Sequence, residues 1–246
     1  MKLPRFTPFQ LLVHAGSLVP LALLVWAVAT GNLSVNPIRD LTFRTGKAAL
    51  VLLVLSLACT PLNTLFGFRQ AVKVRRALGL YAFMYATLHL LIFFVLDYGL
   101  NLRLILSDTL EKRYVYVGLA AFLILLPLAI TSTKGWQRRL GKTWKKVHKF
   151  VYAAGILVVI HYTWVVKSDV RQPLLWGALV VLLLVARLPI IRRKVTQLRG
   201  KLKTRGQETT ADRGQPTKRL KVASRKSPVA IGDDGRPRTA DQRVEG

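Results

Sequence analysis

The sequence predicts an all-α integral membrane protein: a six-transmembrane-helix bundle with cytoplasmic termini and a disordered C-terminal tail. Three observations predict it. The chain of 246 residues is 52% hydrophobic with a positive mean hydropathy, too apolar for an ordinary soluble domain. Its apolar residues fall in long continuous runs rather than in alternation, the pattern of helices and not of strands. Its formal charge of +27 gathers in short clusters between those runs and in residues 193–246, as the positive-inside bias of multi-span proteins requires. A charge of this size otherwise suggests nucleic acid or anionic membrane as partner. Once the apolar runs are set aside no folded basic face remains, so no nucleic acid is expected and membrane lipid is.

A bilayer core of about 30 Å takes about 20 apolar residues as a helix, and only helices or closed barrels satisfy backbone polar groups in lipid. The first span, 9–30, follows a short basic start. It is longer than a signal-peptide core and lacks an A-x-A-like cleavage site, so it reads as uncleaved. The other spans read as 46–65, 78–98, 114–132, 148–167 and 173–191. The loop "FGFRQAVKVRR" (66–76) carries Arg69, Lys73, Arg75 and Arg76, and the loop 133–149 carries seven Lys or Arg; neither has an acid. The tail from Arg192 onward carries sixteen basic and six acidic residues. The loops "GNLSVNPIRDLTFRTG", "DYGLNLRLILSDTLEKR" and "KSDVRQP" come out near neutral. The bias therefore puts both termini in the cytoplasm. Two domains follow, a bundle over 1–192 and a basic cytoplasmic tail over 193–246. The tail's Gly, Pro, Lys and Arg content reads as disordered, either solvated or lying on anionic lipid.

Smaller features complete the reading. Pro20, Pro61 and Pro127 kink or end helices. Trp136, Trp144, Trp164 and Tyr162 fit interfacial anchoring. Cys59 is the one cysteine, which excludes an intrachain disulfide and a Cys-based zinc or iron–sulfur site; within "LSLACTPL" it reads as a packing residue. No internal repeat is evident.

The four histidines carry the functional signal. Two of them bound the apolar run "HKFVYAAGILVVIH" (148–161). Ionisable groups within spans are functional candidates. Counting outward from the cytoplasmic edge, His89 on the third span lies roughly 20 Å deep and His161 on the fifth roughly 22 Å. Two level imidazoles on different helices are what a six-coordinate haem requires, one nitrogen on each face of the iron. His148 lies about 3 Å inside the cytoplasmic edge and points to an inner site, with Arg75 and Arg76 at its level on the third span. Arg75, Arg76, Arg138 and Arg139 are candidates there for haem propionates or a flavin phosphate; as loop residues they equally serve as topology determinants. Thirteen steps of about 100° leave His148 and His161 about 140° apart around the helix. His14, early on the first span, reads as a helix–helix hydrogen-bonding group; it is also the spare imidazole that a second bis-histidine haem near the inner side would have to recruit, unless another ligand serves.

The stretches "RRALGLYAFMYATLHLLIFF" (75–94), "AITSTKGWQRRLGKTWKKVHKFVYAAGILVVIHYTW" (129–164) and "VNPIRDLTFRTGKAAL" (35–50) resemble the ferric-reductase-type transmembrane domain, and more closely the MsrQ (YedZ) family. The resemblance covers about residues 9–190. It implies a multi-pass protein of the bacterial inner membrane with six helices and haem b, one or two per chain. It implies an electron-transfer subunit of an oxidoreductase complex, delivering electrons to a periplasmic molybdopterin methionine-sulfoxide reductase of the MsrP type. The donor it implies is quinol or a cytosolic flavin reductase, and FMN is attributed to the family. Carried over by position, His89, His148 and His161 bear on haem iron. The NADPH-oxidase relatives carry two histidines on each of two helices, whereas the third span here has one. A G-x-G-x-x-G stretch is absent, so the fused flavin and nucleotide domains of those relatives are not expected. The alternatives are a transmembrane metal-ion reductase, a superoxide-producing haem protein, or a non-haem transporter or assembly factor.

Overall fold

Thr7 opens the first helix with a capping box: its hydroxyl accepts from the Gln10 amide and the Gln10 side chain accepts from the Thr7 amide, so two orphan donors are satisfied at once. The computed structural model describes residues 7–166, 169–187 and 197. Among these the chain is helical throughout, without strands. Helix α1 is Pro8–Ala29. Helix α2, Pro37–Phe66, is capped by Asn36, whose side chain accepts from the Arg39 amide at 3.0 Å, and ends at Gly67 with φ of 73°, the left-handed residue that a helix C-terminus favours. Helix α3, Arg69–Leu91, runs on into a π-helical segment, Ile92–Asp97. Then come α4 Leu102–Glu111, α5 Arg113–Ile130 and α6 Lys134–Val147. A 3₁₀ turn, His148–Phe150, leads into α7 Val151–Val165, and α8 is Arg171–Val185.

Each expected span falls on a helix. Four are long and apolar enough to cross a membrane: Pro8–Ala29, Pro37–Phe66, Arg69–Asp97 and Arg113–Ile130. Helices α7 and α8 are apolar and have 15 residues each as described. The protein is a multi-pass membrane protein. The end of the sixth expected span and all of the tail 193–246 except residue 197 lie outside the described residues.

The loops differ more from expectation than the spans do. Most of 66–76 is helix: a two-residue turn, Gly67–Phe68, separates α2 from α3, and Arg69 to Arg76 form the first turns of α3. Likewise α2 starts at Pro37, inside the loop expected over 31–45. Charge ends the lipid-compatible stretch but not the helix, because Arg and Lys are good helix formers. The segment 98–113 contains α4 and 133–149 contains α6, both amphipathic. Helix α6 is broken at Gly141, at φ 49° and ψ −117°.

Packing divides the bundle into two close pairs, α2 with α3 and α5 with α7. Leu53, Leu57, Val74, Ala82, Tyr85 and Ala154 are buried within the bundle. At Gly155 a Cβ would stand 3.2 Å from the Leu57 side chain, so glycine lets α7 approach α2 closely. Cys59 is buried, its thiol on the Leu55 carbonyl at 3.2 Å, as a packing residue should be. Pro20, Pro61 and Pro127 all sit inside helices. Beside Pro20 the backbone of α1 is bonded from α3: the Tyr85 hydroxyl donates to the Ser17 carbonyl at 2.8 Å and accepts from the Leu21 amide at 2.9 Å. A neighbouring helix thus satisfies backbone groups loosened by proline, as lipid requires. Tyr85 is 1% exposed, while Leu12, Leu23 and Trp26 of α1 face outward.

Candidate functional site

His89 near the end of α3 and His161 on α7 meet across the bundle. Their ring centroids are 6.2 Å apart and the ring planes stand at 89°. Both side chains are half-buried. Nδ1 of His89 lies 2.9 Å from the Thr42 carbonyl on α2, and Nδ1 of His161 lies 2.8 Å from the Tyr114 carbonyl on α5. A carbonyl only accepts, so each Nδ1 carries the proton and each Nε2 keeps its lone pair. Neither Nε2 makes a hydrogen bond among the described residues. This is the arrangement of a metal-ligating histidine whose other nitrogen is held by a backbone acceptor.

The donor set fits haem. With metal–nitrogen bonds of about 2 Å on either side of one iron, two imidazole centroids lie roughly 6 Å apart, the separation seen here. Among the described residues no group of three or more His, Cys, Asp or Glu side chains is placed to hold a bare metal ion. A porphyrin supplies four nitrogens of its own, and two imidazoles complete the set.

The two halves of the pair match in detail. The sequence separation between histidine and carbonyl is 47 in both. One helical turn beyond each carbonyl stands a glycine, Gly46 or Gly118, directly under the imidazole. The expectation of no internal repeat misses this correspondence. Its trace in the sequence is equal spacing, not similar residues.

The inner site is a cavity of about 380 Å³ lined by His148, Arg75, Arg76 and Ser132, with Trp144 beside them. Lys145, Lys149 and Arg187 add positive charge, and among the described residues no acid lines it. His148 belongs to the 3₁₀ turn before α7. Three steps of about 120° there reduce its angle from His161 to about 80°. Its Nδ1 donates to the Trp144 carbonyl at 3.1 Å, and Nε2 lies 3.4 Å from the Ser132 hydroxyl. That hydroxyl already donates to Leu128 at 2.7 Å, so its single proton is committed and the Nε2 lone pair remains available. Thirteen residues before His161 stands His148; thirteen before His89 stands Arg76. The two matched halves therefore carry an imidazole on one side of the cavity and a guanidinium on the other.

The other residues singled out from the sequence separate from these sites. His14 bonds the Tyr81 hydroxyl at 3.0 Å and packs edge-on to its ring, a helix–helix contact away from the lining of the inner cavity. Arg138 and Arg139 do not line that cavity; Arg139 lies over the Trp136 ring. Trp136 and Trp164 are exposed as anchors should be. Trp144 is not one of them: its ring stacks on His148 at 3.9 Å and its Nε1 donates to the Thr131 carbonyl at 2.9 Å. Arg187 is an addition that the sequence reading lacks. It donates to the Tyr152 hydroxyl at 2.8 Å and to the Leu57 carbonyl, with its Nε buried and unpartnered. A lone arginine closing an apolar run is its only sequence signal.

Comparison with known proteins agrees with this architecture. Residues 45–159 match the family described as ferric reductase like transmembrane component. The protein-methionine-sulfoxide reductase heme-binding subunit MsrQ of Xanthomonas axonopodis pv. citri (strain 306) is 45% identical over 179 residues, covering 70% of this chain and 82% of the relative. The same subunit from Xanthomonas oryzae pv. oryzae (strain MAFF 311018) is also 45% identical with the same coverage. That of Xanthomonas campestris pv. campestris (strain 8004) is 43% identical over 178 residues, again 70% and 82%. With four-fifths of each relative spanned at this identity, the chain belongs to the MsrQ family.

Proposed function

We propose that this chain is the haem-binding, electron-carrying membrane subunit of a methionine-sulfoxide reductase system. It spans the bacterial inner membrane six times with both termini cytoplasmic, and serves a periplasmic molybdopterin reductase of the MsrP type. The observation that carries the reading is the His89–His161 pair: two imidazoles on different helices, each with Nδ1 held by a backbone carbonyl, at a separation that suits one iron. The name its relatives bear, heme-binding subunit, supports it. His89 and His161 would hold haem b, and the haem would supply a one-electron carrier.

The chain's own residues do the rest. His89 and His161 would bind the iron, in the outer half of the membrane. The carbonyls of Thr42 and Tyr114 hold the axial rings and their protons in place. At the inner side Arg75, Arg76 and Arg187 attract an anionic group into the cavity beside His148, either the propionates of a second haem or the phosphate of FMN. The donor on that side is quinol from the bilayer or a cytosolic flavin reductase. The basic residues of 193–246 meet anionic lipid at the cytoplasmic face of the membrane.

The test is a dithionite-reduced-minus-oxidised spectrum of the detergent-purified chain, with haem counted per protein by pyridine haemochrome. A low-spin b-type spectrum at one haem per chain supports the His89–His161 centre alone. Two per chain bring in His148. A haem-free chain from haem-replete cells refutes the reading.

A further inference from the structure

We propose that Gly46 and Gly118 are positioning residues for the two axial imidazoles, each clearing the space through which a histidine reaches its backbone carbonyl. The inference rests on the reading that His89 and His161 hold haem, and goes beyond it by assigning a role to two residues that have no side chain with which to ligate iron.

Both glycines lie inside helices, Gly46 in α2 and Gly118 in α5. Neither has a positive φ, so neither is needed for its backbone freedom. A glycine inside a helix costs about 1 kcal/mol relative to alanine, and at these two positions the neighbouring imidazole supplies a reason for it. A Cβ on Gly118 would stand 2.7 Å from both Nδ1 and Cε1 of His161. A Cβ on Gly46 would stand 3.1 Å from Nδ1 and 3.2 Å from Cε1 of His89. By contrast, Gly16, inside α1, has nothing within 4 Å of a built Cβ.

The imidazole is a rigid ring, and it cannot slide away from a new methyl group without stretching the hydrogen bond from Nδ1 to its carbonyl, 2.8 Å between nitrogen and oxygen at His161 and 2.9 Å at His89. That bond fixes the ring rotation, keeps the proton off Nε2 and raises the basicity of the ligating nitrogen. Each half of the bundle supplies the same three parts: a carbonyl at 42 or 114, a glycine at 46 or 118, and a histidine at 89 or 161. The contact is closer at Gly118 than at Gly46, so the two positions should respond unequally.

The experiment uses the full-length, haem-loaded chain in detergent. Gly118→Ala, Gly46→Ala and the control Gly16→Ala are compared with wild type by the rate of haem transfer to excess apomyoglobin, by the EPR g-values of the oxidised haem and by its midpoint potential. Gly118→Ala is expected to lose haem about 10- to 100-fold faster, the usual loss in affinity when a partner of a metal-ligating histidine is disturbed. Gly46→Ala should show a smaller loss. Both should shift the g-values and move the potential upward, because a less basic imidazole stabilises the ferric state less. Gly16→Ala should match wild type in all three readouts. Wild-type haem retention and g-values in Gly118→Ala overturn the proposal while leaving the ligation reading intact. If Gly118→Ala does not fold, unchanged g-values in Gly46→Ala overturn it alone. A wild-type chain without haem overturns the ligation reading first, and this proposal with it.

Discussion

Replacing Tyr85 with phenylalanine removes one oxygen atom from the most buried junction of α1 and α3. That oxygen donates to the Ser17 carbonyl and accepts from the Leu21 amide, bridging the turn of α1 that contains Pro20. A buried backbone group left without its partner costs about 1–3 kcal/mol. Two groups lose theirs, but Leu21 and Ser17 are four residues apart and can close partly on each other, so the expected loss is about 2 kcal/mol. For a chain of this size that lowers the unfolding midpoint by about 4–8 °C, read by thermal denaturation of the detergent-solubilised protein. A Pro20→Ala background straightens the turn and gives the amide and carbonyl each other, so most of the Tyr85→Phe penalty should vanish there. Haem content should be unchanged, because His89 is held by Thr42 on α2 and not by α1. An unshifted midpoint in Tyr85→Phe, or an equal shift in both backgrounds, refutes the reasoning.

Three further outcomes are expected. His89→Ala and His161→Ala should each abolish the low-spin b-type spectrum of the purified chain; full haem content in either variant would remove that residue from the site. Arg187→Met should weaken FMN binding by about tenfold, the usual worth of a hydrogen bond to a charged group, measured by quenching of flavin fluorescence; unchanged quenching would take the phosphate out of this cavity. Charge reversals on the segments 31–45 and 98–113, such as Arg39→Glu and Arg103→Glu, should slow reduction of the periplasmic partner by on the order of 10-fold at low salt, with less effect as salt rises. Haem content should hold in these variants, and slowing only from changes in 133–149 would reverse the proposed topology.

What is legible in the sequence divides along physical lines. Spans are visible because hydropathy is summed over about 20 residues and tolerates errors at single positions. Helix ends are not, since Arg69 to Arg76 carry charge and are helical all the same. The pairing of His89 with His161 follows from helix rise, which is nearly constant along a helix. The rotation of His148 does not follow, because a 3₁₀ turn changes the angle per residue and leaves no mark in composition. Trp144 has the sequence neighbourhood of an anchor, among lysines. Only folding shows that α6 turns its ring onto His148. Arg187 and the glycines under the imidazoles act through proximity between distant helices, which a linear reading of one sequence does not contain.

The equal spacing of the two imidazole cradles also bears on how the molecule is made. Helices α2 and α3 are joined by only two residues, so the newly made chain can enter the membrane there as a hairpin, with His89 already seated on Thr42. The second cradle is complete only after α7 emerges, with His161 standing 47 residues beyond Tyr114. Each half then presents a finished ligand, and whatever bridges the two must arrive late in synthesis, when both are in place. A ribosome stalled before α7 would expose a membrane-inserted half-site with one ready imidazole and nothing to close against.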